Sequence, residues 1–400
     1  MTTSPDILIS GGGVAGLSAA CLFGAAGFSV VCVDPTAPVT EEAAEGADLR
    51  TTALLQPARE LLDEAGIWAR LAPFATPLWR MRIVDAGGAL PSPRLRRDFE
   101  ATDLGNTPFG WNLPNWLLRR ELMGRIAELP GVSFCPGVAT ADVLARSAGA
   151  RVALSDGRTL TPRLLIAADG RNSPVRASLG IGARTLRYGQ KALAFAVTHP
   201  EPHENVSTEI HRSGGPFTLV PLPDRGGQPC SAVVWMERGP EALRLTALPD
   251  AAFNAEMTAR SGAILGPLVA VTRRSVWPII SQIAHRFDGP GTVLAAEAAH
   301  VVPPIGAQGL NMSLADFRLL LELARAAPAA LGSPEMCAEY ARRRRPDVTA
   351  RVLGIDLLNR TSMQGARPLR DARALGIAGL HALPPVRRLL MQVGLGARVV

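Results

Sequence analysis

Residues Ile7 to Val33, ILISGGGVAGLSAACLFGAAGFSVVCV, run twenty-seven positions without a charge and stop against Asp34. Ile7 to Ser10 has the length and composition of a buried strand. Gly11-Gly12-Gly13-Val14-Ala15-Gly16 follows as G-x-G-x-x-G, and Val14 to Ala26 is small and apolar enough to form a helix that Gly27 ends. Phe28 to Val33 has the β-branched content of a second buried strand, with Asp34 at its carboxyl end, 18 residues after Gly16. Strand, Gly-rich turn, helix, strand and acid in that order make a dinucleotide cradle. Gly11 permits the tight turn, Gly13 lets the backbone approach a pyrophosphate, and Gly16 lets helix and strand pack closely. The helix start around Ala15 offers free N–H groups to the phosphates, and Asp34 can accept hydrogen bonds from an adenosine ribose.

An uncharged run of this length could instead span a bilayer or serve as a signal peptide. It lacks a basic leading region, however, and its six glycines fall at the turn, inside the helix and at its end. No other stretch of the 400 residues is long enough to cross a membrane. Hydrophobic residues make up 47% and charged residues 19%, ordinary for a soluble chain with a sizeable core and two or three domains. The five cysteines, Cys21, Cys32, Cys135, Cys230 and Cys337, are scattered and mostly apolar in context, as small core residues of a reducing compartment would be. No C-x-x-C or other metal-ligand spacing occurs. A net charge of +7 comes almost wholly from dispersed arginines, Lys191 being the only lysine, without the aromatic interleaving of a nucleic-acid surface. The one run, Arg342 to Arg345, reads first as a solvated helix face, with contact to an anionic surface as the lesser alternative.

Between these landmarks the chain reads as mixed α/β. Glu41 to Asp48 is acidic and loose, Thr52 to Leu71 is helix-like, and residues 79–90 alternate like a hairpin turning at Gly87-Gly88. Asn115 to Leu129 has helical spacing, Val132 to Phe134 and Val152 to Leu154 look like strands, and Leu164 to Ala168 is a further buried strand ending in Asp169-Gly170. From about 183 to 272 the texture becomes alternating strands with Pro-rich turns. Residues 292–325 return to the first texture, with strand TVLAA, a Pro-Pro-Ile-Gly loop and a helix from about Leu310. The expected class is α/β: a Rossmann-like domain built from discontinuous segments 1–76, 108–182 and 273–345, an inserted β-sheet domain from 77–107 and 183–272, and C-terminal helices over 346–400.

Two further motifs stand at the ends of those strands. One is Leu164-Leu-Ile-Ala-Ala-Asp169-Gly170-Arg-Asn-Ser173-Pro-Val-Arg176; the other is Thr292-Val-Leu-Ala-Ala-Glu297-Ala-Ala-His300-Val-Val-Pro303-Pro304-Ile-Gly306-Ala-Gln308-Gly309-Leu310-Asn311. With the first cradle they resemble the motifs of the single-component FAD-dependent aromatic hydroxylases, over nearly the whole chain. Ala47-Asp48-Leu49-Arg50, Asn115-Trp-Leu-Leu-Arg119, Tyr188-Gly-Gln190, Leu219-Val-Pro-Leu222 and the ending Met391-Gln-Val-Gly-Leu-Gly396 are similar to the ubiquinone-biosynthesis type. No W-x-W-x-I-P string of the flavin halogenases is present. One position departs from the family: Ala296-Glu297 stands where Gly-Asp is usual. Glu keeps a carboxylate, but its added methylene and the Cβ of Ala296 require a local shift.

The resemblance implies FAD as cofactor and NAD(P)H as co-substrate. FAD would be held by Gly11, Gly13, Ala15, Gly16 and Asp34, by Arg50, Arg119, Asp169 and Glu297, and by Gly309, Leu310 and Asn311 at a helix start that favours anionic reduced flavin. Pro303, Pro304 and Gly306 would form a dry catalytic wall. No metal is required. The implied reaction is hydroxylation of a polyprenyl phenol in ubiquinone biosynthesis, through a C4a-hydroperoxyflavin formed with O2. Two rivals stay open: hydroxylation of a small soluble aromatic acid, and a non-catalytic flavin-fold scaffold. His300 is read first as structural, satisfying loop backbone, with a catalytic general base as the lesser alternative, and Tyr188 either as a phenol contact or as a packed strand aromatic. The Leu- and Arg-rich end, 367–400, either packs on the FAD domain or rests on a membrane surface. That places the protein in the cytoplasm or peripherally on the inner membrane, with an apolar phenol, other quinone-biosynthesis enzymes and no nucleic acid as partner expectations.

Overall fold

A computed structural model describes residues 4–86, 95–146, 149–212, 214–363 and 384–395. Its first organising element is a six-stranded sheet in the order Asp288–Gly289, Thr292–Leu294, Leu164–Ala167, Ile7–Ser10, Val30–Asp34, Val132–Pro136. All pairings are parallel except that of the Asp288–Gly289 edge. Parallel strands must be covered on both faces, which explains why Ile7, Leu8, Ile9, Leu164, Leu165 and Ile166 are all fully buried. The register sets Ser10 beside Ala167 and Val33, and Ala167 beside Leu294. Three segments far apart in sequence therefore finish on one edge.

That edge is tight. Gly11 has φ +114°, and a Cβ there would lie 2.3 Å from the Ala168 carbonyl oxygen. Val14–Ala25 forms the helix above it. A Cβ on Gly16 would lie 1.8 Å from the Gly11 carbonyl, so only glycine lets this helix settle onto the turn.

The second sheet has nine strands. Its main path is His300–Val301, Ser275–Ala284, Ala183–Thr198, Gln228–Arg238, Pro216–Arg225, Val206–His211, Arg80–Asp85, Leu95–Glu100, with Val269–Ala270 also paired to Ala183–Thr198. One face carries its own core, in which Phe195, Phe217, Trp235 and Phe253 meet edge to face or tilted. The sheet extends past the expected boundary at 272, since Ser275–Ala284 pairs along Ala183–Thr198. Two helices absent from the strand-only reading, Gly239–Ala247 and Asp250–Ser261, cover that core.

Other local expectations need revision. Thr52 to Leu71 is not one helix. Thr51–Leu55 is a strand paired antiparallel with Gly110–Pro114, and helices Gln56–Glu64 and Trp68–Leu71 follow. Its β-branched threonines and the partner strand outweigh a helical pattern that begins only after Leu55, where Pro57 sits in the first turn. Arg80–Asp85 and Leu95–Glu100 pair as the arms of a hairpin, while the expected turn at Gly87-Gly88 lies outside the described residues. The C-terminal helical region starts early, with a helix over Pro334–Met363 that contains Pro346. In the arginine run Arg344 is 5% exposed, so that helix face is not uniformly solvated. Pro384–Leu395 is helical; of the expected membrane-facing end, 367–383 and 396–400 lie outside the described residues. Among the described residues no helix is long and apolar enough to cross a membrane.

If the Gly16 approach sets the helix position, Gly16→Ala should destabilise the apoprotein by roughly 1–3 kcal/mol through overpacking. Urea unfolding midpoints compared with wild type measure this, and an unchanged midpoint would refute the tight approach.

Candidate functional site

Helix Val14–Ala25 begins at Gly13 with no side-chain cap and no acid in its first turn, leaving N–H groups uncommitted at its positive end. An added Cβ on Gly13 would meet nothing within 4 Å. Ala15 is half-buried in the same turn. Asp34 stands beside them at the end of its strand: Oδ2 accepts the Gly12 N–H at 2.6 Å, and Oδ1 accepts the Thr36 N–H and hydroxyl at 2.8 and 2.9 Å. The Gly-rich turn and the acid are thus already fixed to each other.

Asp169 closes the neighbouring strand. Its Oδ2 accepts the Val175 N–H at 3.2 Å, and its Oδ1 is buried without a protein partner. Burial pushes its pKa upward, with Ser173, nearby backbone N–H groups and Arg176 pulling the other way. Arg176 ties the second motif to the third, its guanidinium donating to the carbonyls of Ala298 and Arg171, both at 2.8 Å.

The arginines converge on an unforeseen residue. Arg50 forms a two-pronged pair with Asp48, Nε to Oδ1 at 2.7 Å and Nη2 to Oδ2 at 2.6 Å. The Asn115 amide donates to Asp48 at 3.0 Å, and an Arg119 guanidinium nitrogen lies 3.9 Å away. Arg119 Nε is itself buried and unpartnered. The Arg50 guanidinium also covers the Trp277 ring, 5.4 Å from its centroid, bringing the second sheet to the site. Asp48 had one sequence signal: it sits two residues before Arg50, a spacing at which a loop carboxylate can orient the arginine.

In the third motif, Ala296–Ala299 forms a one-turn helix after strand Thr292–Leu294. Ala296 takes the left-handed conformation at φ +52°. That is a glycine-type backbone held by a residue with a Cβ, at a cost of roughly 1–2 kcal/mol. Glu297 is exposed between buried alanines; Asp48 first, against burial, and Glu297 after it hold the Arg50 pKa above its usual value. Pro303 is buried, Pro304 half-buried and Gly306 exposed with φ +62°. Helix Gln308–Ala326 then starts, again without a side-chain cap, with open space around Gly309 and with Leu310 half-buried.

Asn311 is committed to protein backbone. Its amide donates to Ala53 O at 2.8 Å and Ala307 O at 2.6 Å, and its oxygen accepts the Leu55 N–H at 2.9 Å. Three of its four hydrogen-bonding capacities are therefore used in fastening this helix to strand Thr51–Leu55. Gln308 is a second unforeseen fastener, donating to the carbonyls of Gly306 and Gly394 at 2.9 Å. His300 is buried and paired with Asp316 at 2.8 Å. The Tyr188 hydroxyl donates to Asp356 at 2.6 Å; burial first, then Asp356, pushes its pKa well up.

This residue set fits FAD. Two uncapped helix starts suit anionic groups, Gly13 and Gly309 leave room for close backbone approach, and the buried orphans Asp169 Oδ1 and Arg119 Nε each require a partner from outside the described protein atoms. Among the described residues no cluster could hold a metal ion.

Comparison with known proteins agrees with that fit. The model of the FAD binding domain family matches residues 4–353. The chain is 35% identical over 394 residues to the ubiquinone hydroxylase UbiL of Rhodospirillum rubrum, covering 98% of this chain and 89% of that protein. It is 27% identical to the 3-demethoxyubiquinol 3-hydroxylase of Escherichia coli, covering 99% and 100%. Among solved structures, p-nitrophenol 4-monooxygenase PnpA from Pseudomonas putida superposes with a TM-score of 0.80 over the full length of both chains, at 18% identity, a likeness of fold.

Burial pushes Asp48 up, but the Arg50 pair, Asn115 and Arg119 outweigh it and hold the carboxyl below its usual range. The stability it contributes is present above the unfolded value of about 3.9 and lost as pH falls through the lower folded value. Asp48→Asn should therefore cost roughly 1–3 kcal/mol at pH 7, with the gap to wild type closing as the pH drops below about 4. Urea unfolding across that range checks this; a gap independent of pH would contradict it.

Proposed function

We propose that this chain, which belongs to the FAD-binding-domain family and, within it, to the ubiquinone hydroxylases, is an FAD-dependent monooxygenase that hydroxylates the ring of a polyprenyl phenol, using NAD(P)H and O2. The observation that carries the reading is the meeting of three distant motifs on one sheet edge, with Asp169 Oδ1 buried there without a partner; Arg119 Nε, beside Asp48 on helix Asn115–Ala127, is a second buried orphan. Bound FAD would accept reducing equivalents from NAD(P)H and activate O2 for ring hydroxylation.

The protein's part is binding, orientation and exclusion of water. Gly13 and Ala15 present backbone to the pyrophosphate from a turn that Gly11 and Gly16 keep tight, and Asp34 faces the adenosine end. Arg50 and Arg119, oriented by Asp48, supply cationic contacts, while Asp169 and Glu297 accept from hydroxyl groups. The N–H groups at Gly309, Leu310 and Asn311 favour negative charge on the ring edge. Pro303 and Pro304 carry no N–H to recruit water, and Gly306 turns the chain away, so the loop makes a dry wall.

A peripheral membrane contact belongs to the same reading. Leu353, Leu357 and Leu358 on helix Pro334–Met363 are each more than half exposed, Leu389 on Pro384–Leu395 is 46% exposed, and Arg360 and Arg388 lie on the same two helices. Exposed leucines interspersed with arginines suit an anionic lipid surface, from which a polyprenylated substrate would be drawn.

Deleting the gene should make a polyprenyl phenol lacking a ring hydroxyl accumulate, as read by mass spectrometry of the quinone pool; an unchanged pool would defeat the assignment. Gly13→Val should weaken FAD binding about a hundredfold, a loss of roughly 3 kcal/mol, while leaving the apoprotein melting temperature nearly unchanged because the added side chain points into open space. Equal loss of stability would contradict the role of Gly13. Leu353→Asp with Leu357→Asp should abolish flotation with anionic liposomes and leave FAD affinity intact; retained flotation would remove the membrane contact.

A further inference from the structure

The third motif is held from behind by a buried carboxylate that the flavin reading does not use. Asp316, on helix Gln308–Ala326, is completely buried. Its Oδ2 accepts the Ala296 N–H at 2.8 Å and also pairs with His300 Nε2 at 2.8 Å. Residues 296 and 300 bracket the one-turn helix Ala296–Ala299, so one oxygen holds both ends of the turn that carries Glu297.

The turn needs such a hold. Ala296 sits at φ +52°, a conformation an L-residue with a Cβ leaves unless its surroundings fix it. The fixed acceptor is kept ionised in the core: Arg344, 5% exposed, donates to Asp316 Oδ1 and to the Met312 carbonyl at 2.8 Å, anchoring itself to the helix that bears Asp316. Burial drives the Asp316 pKa up, and His300 and Arg344 together outweigh it. Because Ala296, Ala298 and Ala299 are buried while Glu297 is exposed, the orientation of this turn decides where the Glu297 carboxylate points.

We propose that Asp316 is a positioning residue: by gripping the Ala296 N–H and His300 it locks a strained turn and so aims Glu297 at the flavin. The proposal rests on the flavin reading of Glu297. An ordinary core ion pair would stabilise the protein without any special coupling to Ala296, and that difference can be measured.

Asp316→Leu with Arg344→Met removes the acceptor for the Ala296 N–H and both charges together, and leaves no uncompensated buried ion. In that background Ala296→Gly, which adopts the left-handed conformation freely, should restore FAD affinity by about fivefold or more, against less than about twofold in wild type. The same coupling should appear in thermal unfolding of the apoproteins. An equal effect of Ala296→Gly in both backgrounds overturns the proposal. Should the paired variant fail to fold, hydrogen exchange of wild-type apoprotein decides: the Ala296 amide should be as protected as strand Leu164–Ala167, and exchange at the rate of an exposed loop overturns the proposal. Glu297→Ala in the wild-type background separates the two levels. A fall in FAD affinity of about tenfold supports both. Unchanged affinity removes the flavin role of Glu297 and with it the aiming of Glu297, while the apoprotein coupling still decides whether Asp316 holds the turn.

Discussion

Parallel pairing of Ile7–Ser10 with Leu164–Ala167, and of that strand with Thr292–Leu294, is the constraint from which the site follows. Parallel strands in register must all end at the same edge. Segments more than 120 residues apart in sequence thus deliver Gly11, Asp169 and Ala295 to one crevice, the place where open α/β sheets take ligands. Backbone bonds reinforce it: Ala168 N–H donates to Ser10 O, and Ala295 N–H to Ala167 O. The glycines follow from this crowding, since Gly11 and Gly16 have no room for a Cβ.

Charge is managed at the crevice by acids that orient basic groups. Asp48 takes Arg50, Asn115 and Arg119; Asp316 takes Arg344, His300 and the Ala296 N–H. A planar guanidinium can satisfy several acceptors at fixed angles, two for Arg176 and three for Arg344, which also donates to Asp347, and an ammonium group would not reproduce that geometry. The abundance of arginine in this chain is thereby put to structural use, whatever its origin. Burial of Asp316 would be unfavourable for either partner alone and is tolerated because all its donors are in place.

What could be read from the sequence was what depends on local pattern. The first βαβ unit was legible because strand, turn, helix and strand follow one another without interruption, and the other two motifs were legible because each sits at the end of a short apolar strand. Partners brought by the fold were not. Thr51–Leu55 became a strand through Gly110–Pro114, which lies 55 residues or more away. Arg344 looked like part of a solvated run because nothing nearby in sequence announces Asp316, 28 residues earlier. Asp316 itself gave one signal, a lone acid on the apolar side of NMSLADFRLLL, which a helical projection would place in the core. Asn311 was recognised by its motif, yet only the structure assigns its amide to the backbone of Ala53 and Leu55.

The account depends on this crevice holding FAD. Equilibrium titration of the purified wild-type apoprotein, followed by quenching of flavin fluorescence, tests that most directly. One FAD per chain with a dissociation constant of about 1 μM or below is the predicted result. Fluorescence that remains that of free flavin when protein and FAD are mixed at about a hundred times that concentration would contradict it.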